Sequence, residues 1–462
     1  MNSVLHEADG MWSVARLSGP LNRIAVVTAI LILLTSSFDV FLVLEAGGNF
    51  RFCQLIAPIL FVLALMKAAR GRQIPVLGML PLIIWLGFQL LFVPTTEFWP
   101  KSLGYCFWLL LNIGIMFSFV QLFSDDTKLL KILLKWYVYS FGLLATFGIV
   151  QFLLPLLGMA GPLVQQWWIP GVLARANGFS YEPSYFATYL MIGLAFVGSL
   201  RRSHSPLLSS RTLLAIYLLT ALGVVFSSSR MGIVFLFVEI LLPKLKPWRF
   251  FFSDVMRGRM ATFRLRALIP SFLSIALIGV VIASGSLLLA NNPALALLFL
   301  NGTGVSDTAA HSVIQREGAL EQTVTVFAQH PFVGRSLGGV SSAIADLEGE
   351  KIQSFKDSKD FEGMNVFAEA LAASGVIGIL PFIWFLTTTF LRPLQVARFA
   401  PPFFSGVLFA LLRSLAFAWA MLQFNQNMLR PYLWTHIAVL ATVYAAAVRS
   451  VNTPASAANS SS

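Results

Sequence analysis

At 462 residues, the chain is 57% hydrophobic and only 11% charged, with a mean hydropathy of +0.79. A soluble domain carries roughly 25% charged residues, so the composition excludes a soluble fold and specifies a polytopic membrane protein. The formal net charge of +12 does not mark a nucleic-acid binder, because the basic residues sit at the edges of apolar stretches, where they report topology.

Residues 1–22 are polar and mixed in charge, and read as a cytoplasmic N-terminal segment. The first apolar stretch is too long for the core of a cleaved signal peptide and reads as a retained span. A helix needs roughly 20 apolar residues to cross a bilayer. Twelve such stretches are predicted, centred on Ile32, Ile59, Ile84, Leu111, Leu144, Ile192, Ile216, Phe237, Ile278, Trp384, Leu412 and Ala438. The expected fold is all-α, with about 12 transmembrane helices: nine within residues 23–290 and three within 366–449. Between helices 9 and 10 lies the longest polar stretch, residues 291–365. Residues 450–462, rich in Ser, Asn and Ala, read as a disordered cytoplasmic tail. Cys53 and Cys106 lie in apolar spans as small buried hydrophobes and imply neither a disulfide framework nor a metal cluster. No internal repeat is visible, which argues against a transporter built from matched halves.

The positive-inside rule orients this chain. With the N-terminus in the cytoplasm, the internal connectors and ends collect 21 of the 32 basic residues. They carry Lys67, Arg70 and Arg72; Lys128, Lys131 and Lys135; Arg201, Arg202 and Arg211; the seven bases from Lys244 to Arg266; Arg392 and Arg398; and, at the ends, Arg16, Arg23 and Arg449. The 291–365 stretch then falls outside, as a periplasmic loop, and it is net negative, with nine acidic and five basic residues. Both termini are expected in the cytoplasm.

The remaining bases include seven arginines beside or inside apolar sequence: Arg51, Arg175, Arg230, Arg316, Arg335, Arg413 and Arg430. Guanidinium is a planar fork that grips phosphate oxygens in pairs, whereas lysine offers a point charge. Arginines gathered at the outer leaflet suit a lipid-linked pyrophosphate. The competing reading pairs each with a neighbouring acid or snorkels it to the interface. Arg413 is placed deepest, within span eleven, and a charge at that depth is a functional hypothesis by default. Arg230 follows Ser227-Ser228-Ser229 at a tight turn between spans seven and eight.

Acids are scarce in the spans. Glu182-Pro183 suits a helix start, and its carboxylate is either a cap or a group fixed at the outer surface to accept a proton from a sugar hydroxyl. Glu369 follows Asn365 by four residues, on the same helical face. Glu239 reads as structural, and Asp39 falls in span one without an evident role. In the loop, apolar positions from Ser312 to Gln329 predict a surface helix. It is followed by His330-Pro331 and a glycine-rich turn. His330 is either a base or a cap.

Four segments, taken in order, resemble the O-antigen ligase and polymerase superfamily of bacterial envelope glycan assembly. They are Gly178-Phe179 with Glu182-Pro183-Ser184 and Ala187; Ser229-Arg230-Met231-Gly232; Arg316 followed by His330-Pro331-Phe332-Val333-Gly334; and Asn365-Val366-Phe367-Ala368-Glu369 with Gly375-Val376-Ile377-Gly378. The resemblance covers about 175–378, and the first six spans resemble the family in hydropathy alone. It implies a metal-independent, GT-C-like membrane glycosyltransferase of the bacterial inner membrane. Its substrate would be an undecaprenyl-pyrophosphate-linked oligosaccharide, with no cofactor, no metal and no nucleic acid. A chain-length regulator or a flippase is the implied kind of partner. The chain carries no glycine-rich phosphate loop and no Asp-x-Asp metal motif. Its nearest approach is Asp346-x-Glu348, in the polar loop.

One departure shapes the expected reaction. Where the ligases carry a His-Asn pair, this chain has Met364-Asn365, and methionine cannot take a proton. The Gly178–Ser184 form looks more like exopolysaccharide repeat-unit polymerases. The expected activity is therefore repeat-unit polymerisation with inversion at the anomeric carbon. Glu182 is the first candidate base and His330 the second. Arg175, Arg230, Arg316, Arg335, Asn365, Glu369 and Arg413 are the candidate substrate-binding residues. A ligase handing finished glycan to a lipid or protein acceptor, and a transporter or flippase for lipid-linked glycan, are the alternatives.

Overall fold

The computed structural model describes residues 19–45, 49–71, 73–203, 207–242, 307–355, 357–359, 361–363, 365–424 and 428–452, with the side chains of 45 and 307–317 left aside. Thirteen helices and two small hairpins account for nearly all regular structure among these residues. In chain order they are α1 (Pro20–Thr35), the hairpin β1 (Val43–Glu45) and β2 (Asn49–Arg51), α2 (Phe52–Arg70), α3 (Met79–Phe92), α4 (Trp99–Phe123) and α5 (Thr127–Leu156). A second hairpin, β3 (Trp167–Ile169) and β4 (Leu173–Ala174), precedes α6 (Pro183–Arg202), α7 (Ser210–Ser227) and α8 (Arg230–Leu241). The polar loop contributes α9 (Asp307–Gln329) and α10 (Val340–Leu347), and the chain closes with α11 (Val366–Ala397), α12 (Pro402–Met421) and α13 (Pro431–Asn452).

Among the described residues, eight helices are long and apolar enough to cross a membrane: α2, α4, α5, α6, α7, α11, α12 and α13. The chain is thus an all-α polytopic membrane protein. Every predicted span centre but one falls inside a helix; Ile278 lies outside the described residues, as do Met364 and the basic run from Lys244. Two predicted elements shift. Asp39 lies beyond the end of α1, in a bend, and so is not intramembrane helix. The loop helix begins at Asp307, earlier than its apolar pattern indicates, and packs on α11 and α10.

Helices α6 and α13 form the centre. Almost every residue of α6 from Pro183 to Leu200 is buried, and α13 is buried from Pro431 to Val443. Helices α12 and α7 flank α6, while α4 and α12 flank α13. Helix α2, by contrast, presents Leu55, Ile59, Val62 and Leu65 outward. Such apolar exposure is what a helix at the lipid boundary requires, since lipid tails accept it without cost.

At the centre, polar side chains satisfy one another. The Tyr137 hydroxyl donates to His436 Nδ1 at 2.7 Å, and His436 Nε2 lies 3.0 Å from the Leu411 carbonyl. A carbonyl can only accept, so Nε2 carries a proton and donates it to Leu411. A buried, fully bonded network of this kind fixes the register of the helices carrying it.

Helix α11 is broken inside the bundle. Gly375 has φ 61° and ψ −175°, which interrupts the helical hydrogen bonding. The segment after α9 fills the gap. Arg335 and Ser336 donate their backbone N–H groups to the Ala372 and Ala373 carbonyls at 3.0 and 2.8 Å. Val376 and Ile377 donate to the Pro331 and Phe332 carbonyls at 2.8 and 3.1 Å. Orphaned backbone groups in an apolar setting are costly, and here the loop supplies each missing partner. Only glycine fits at both contact points: a Cβ on Gly375 would sit 2.3 Å from the Phe332 carbonyl carbon, and one on Gly334 2.4 Å from that of Ala373. The third and fourth motif segments are therefore one structural unit.

Candidate functional site

The site lies at the N-terminal end of α6. Glu182 holds the cap position, with extended backbone at φ −123° and ψ 144°, and Pro183 opens the helix. Its carboxylate does not cap the helix. It accepts instead from the Ser184 hydroxyl at 2.9 Å, and it remains half-buried rather than sealed in.

The strip before it is held from both sides. Gln151 accepts from the Asn177 and Gly178 N–H groups at 2.8 and 2.9 Å, and the Asn177 amide donates to the Ser180 carbonyl at 2.8 Å. Gly178, at φ 56°, lies so close to the Phe186 ring that a Cβ would come within 2.6 Å of it. On the other side, Asp39 N–H donates to the Phe179 carbonyl at 2.8 Å, and the Ser180 hydroxyl donates to the Ser37 carbonyl at 3.1 Å.

Arg175 and Arg230 come together here. Arg175 donates to Gln166 Oε1 at 2.8 Å and to the Ser227 and Ser228 carbonyls at 3.4 and 3.3 Å, and its guanidinium lies 4.7 Å from the Trp168 ring centroid. Burial pulls its pKa down to about 10, with Glu182 opposing that shift and Arg230 reinforcing it, so it remains a cation at neutral pH. Arg230 is the first residue of α8. The turn before it is two residues long, with Ser228 at φ 51° and the Ser229 hydroxyl accepting from the Gly232 N–H at 3.3 Å. Glu182, Arg175 and Arg230 thus share one electrostatic neighbourhood.

Asp39, with no role evident in the sequence, is an ion-pair hub. Its two carboxylate oxygens accept from Arg51 Nε at 2.6 Å and Arg430 Nη1 at 2.8 Å. Burial raises its pKa, but Arg430 and Arg51 outweigh burial and hold the carboxyl below the usual range. The Arg430 guanidinium stacks 3.7 Å from the Tyr185 ring centroid. Tyr185 in turn is within electrostatic reach of Arg430, Glu182, Glu362 and Asp39.

A third group completes this end. Lys101, 3% exposed, donates to Glu362 Oε1 at 3.1 Å and to the Ser358 carbonyl at 3.0 Å, and the Tyr105 hydroxyl donates to the same Glu362 oxygen at 3.0 Å. Glu369, one turn into α11, faces Glu362 and Lys101. The polar loop arches above, with Lys359 Nζ 5.9 Å from the exposed ring of Tyr181.

The remaining expected residues divide. Asn365 is a helix cap: its carboxamide oxygen accepts from the Phe367 and Ala368 N–H groups, each at 3.0 Å, and its amide donates to the Gln423 carbonyl at 3.1 Å. Arg335 donates to the Thr95 carbonyl at 3.2 Å and sits with His330 and Glu97, beside the α11 break rather than beside Glu182. Arg316 falls within α9, but its side chain lies outside the described residues.

Arg413 departs furthest from expectation. It donates to Glu239 Oε2 at 2.5 Å, and Arg202 donates to Glu239 Oε1 at 3.0 Å. Both arginines approach Ser199, near the C-terminal end of α6. At 1.5 Å rise per residue, that is about 25 Å from Glu182. Arg413 is the partner of a carboxylate with no exposed surface, and not a member of the Glu182 site.

Sequence reasoning missed Asp39, Lys101, Tyr105 and Glu362 as site residues. Their partners are remote in sequence; Asp39 and Lys101 stood out only as charges beside apolar sequence, and Glu362 is one acid among several in the polar loop. Among the described residues, no group of three or more His, Cys, Asp and Glu side chains is placed to hold a metal ion. No protein-family model and no curated protein matches the chain.

Proposed function

We propose that this chain is a twelve-span, GT-C-like glycosyltransferase of the O-antigen ligase and polymerase superfamily. It joins undecaprenyl-pyrophosphate-linked repeat units into a polysaccharide at the outer face of the bacterial cytoplasmic membrane. The observation that carries the reading is a half-buried carboxylate at a helix start, within electrostatic reach of Arg175, which is itself within reach of Arg230. Orientation follows the charges. Lys67, Arg70, Lys128, Arg201, Arg202 and Arg449 all lie at the helix ends opposite Glu182, which faces the Glu182 end outward.

In this mechanism Arg175 and Arg230 hold the pyrophosphate of the donor, with Arg316 as a further ligand from the loop. Glu182 takes the proton of the acceptor hydroxyl as its oxygen forms a bond to the anomeric carbon. The bond from that carbon to the pyrophosphate oxygen breaks, and the pyrophosphate leaves with the electron pair. Negative charge grows on the leaving group, so fixed guanidiniums stabilise the transition state more than the ground state. Attack opposite the leaving group inverts the anomeric centre. Met364 stands where the ligases hold histidine, so the proton acceptor comes from the Glu182 segment, and polymerisation is favoured over ligation.

Purified protein in nanodiscs, given a defined lipid-linked repeat unit, tests the reaction. A ladder of lengthened glycans is expected. A single transfer to another acceptor would make it a ligase, and movement of the lipid with no new glycosidic bond would make it a flippase. Arg230→Ala should slow the ladder roughly 10²-fold or more.

A further inference from the structure

Two lipid-linked substrates bring two anionic phosphate groups to one site, and one cluster of cations does not suit both. Two groups of cations lie in the neighbourhood of Glu182: Arg175 with Arg230, and Arg430, which is within electrostatic reach of Glu182 and shares Asp39 with Arg51. The Asp39 pairing uses only part of each fork. Each guanidinium gives one N–H to Asp39, out of the five donors it carries. Arg430 Nε is buried with no hydrogen-bond partner among the described residues. The pair keeps one positive charge beyond what Asp39 neutralises, and Arg51 and Arg430 retain 14% and 9% side-chain exposure. Both residues also precede helix N-termini, those of α2 and α13, whose partial positive charge favours an anion.

We propose that Arg51 and Arg430, braced on Asp39, form a second oxyanion seat, which takes the pyrophosphate of a second polyprenyl-linked glycan. This rests on the reading of Glu182 as the site of transfer. The substrate in this seat keeps its pyrophosphate and offers the attacking hydroxyl. Its lipid and its hydroxyl both sit at the membrane surface, so its glycan arches over the site beneath Tyr181 and Lys359. Asp39 is the positioning residue: it fixes both forks before the ligand arrives, so less freedom is lost on binding.

Native mass spectrometry of the full chain in nanodiscs, titrated with undecaprenyl pyrophosphate, counts the seats. Wild type is expected to bind two molecules, and Arg430→Gln one. The double variant Arg230→Gln with Arg430→Gln should bind none. Arg430→Lys keeps the charge facing Asp39 but gives up the fork, and should weaken the second binding event about tenfold or more while the protein remains monodisperse. The proposal is overturned if wild type binds only one molecule, or if Arg430→Gln and Arg430→Lys both still bind two with wild-type affinity. It is also overturned if phosphatidylglycerol at equal concentration displaces the second molecule, which would make the seat a general lipid-phosphate site. Two molecules bound without any glycan lengthening would leave the seat standing and remove the enzymatic reading alone.

Discussion

Glu182 and Asn365 both occupy helix-cap positions, and only one of them uses its side chain to cap. Asn365 satisfies two N–H groups of its own helix, so Asn365→Ala should cost about 1 kcal/mol of stability with little change in turnover. A thermal melt alongside the polymerisation assay separates the two effects. Arg413→Ala should act more strongly and on stability alone. It leaves Glu239 buried with half its pairing lost, a change that typically costs about 3–5 kcal/mol. His330 carries a pH dependence of its own. Desolvation first, then Arg335, holds its pKa below the usual 6.5. The folded state therefore disfavours the protonated ring, and the unfolded chain binds the extra proton. Stability should be whole above about pH 6.5 and decline on acidification below it, and His330→Gln should flatten that decline in melts between pH 5 and 7. Glu182-Pro183 as a helix start and Arg230 at a two-residue turn were legible from the sequence. The partner of Arg413 was not, because Glu239 lies 174 residues away and only the packing of α6, α8 and α12 brings them together.

Among the elements, the broken α11 is the least visible in sequence and the most informative in structure. Its apolar pattern runs on through Gly375, and its prolines, Pro381 and Pro393, lie beyond the break, so periodicity reads one span around Trp384. The break becomes apparent only with the 331–336 segment that replaces the missing hydrogen bonds. Gly375 adopts a backbone region open essentially to glycine alone, which costs other residues about 1–3 kcal/mol before any clash is counted. Gly375→Ala should therefore lower the melting temperature. It should also raise amide exchange in 331–336 and at Val376 and Ile377, the partners it would push apart. If exchange there is unchanged, the loop does not depend on the break. The all-α membrane class, by contrast, was plain: long apolar runs mark the eight helices that qualify as spans among the described residues.

For the molecule as a whole, the two ends do different work. The Glu239 end is closed by one buried carboxylate shared between two arginines. The Glu182 end gathers arginines and carboxylates that neutralise one another only in part, under an arch of polar loop. Asp39 and Arg430 meet across 391 residues, which no local pattern can announce. A labelling experiment checks the orientation: single cysteines at Glu348 should react with an impermeant thiol reagent from the periplasmic side, and cysteines at Asp125 only after the membrane is breached. The central claim is that Glu182 takes the proton during glycan transfer. Single-turnover transfer between defined undecaprenyl-pyrophosphate-linked repeat units, comparing wild type with Glu182→Gln, tests it most directly. The account predicts a rate lowered about 10²-fold or more with substrate binding retained. Transfer by Glu182→Gln at the wild-type rate would contradict it.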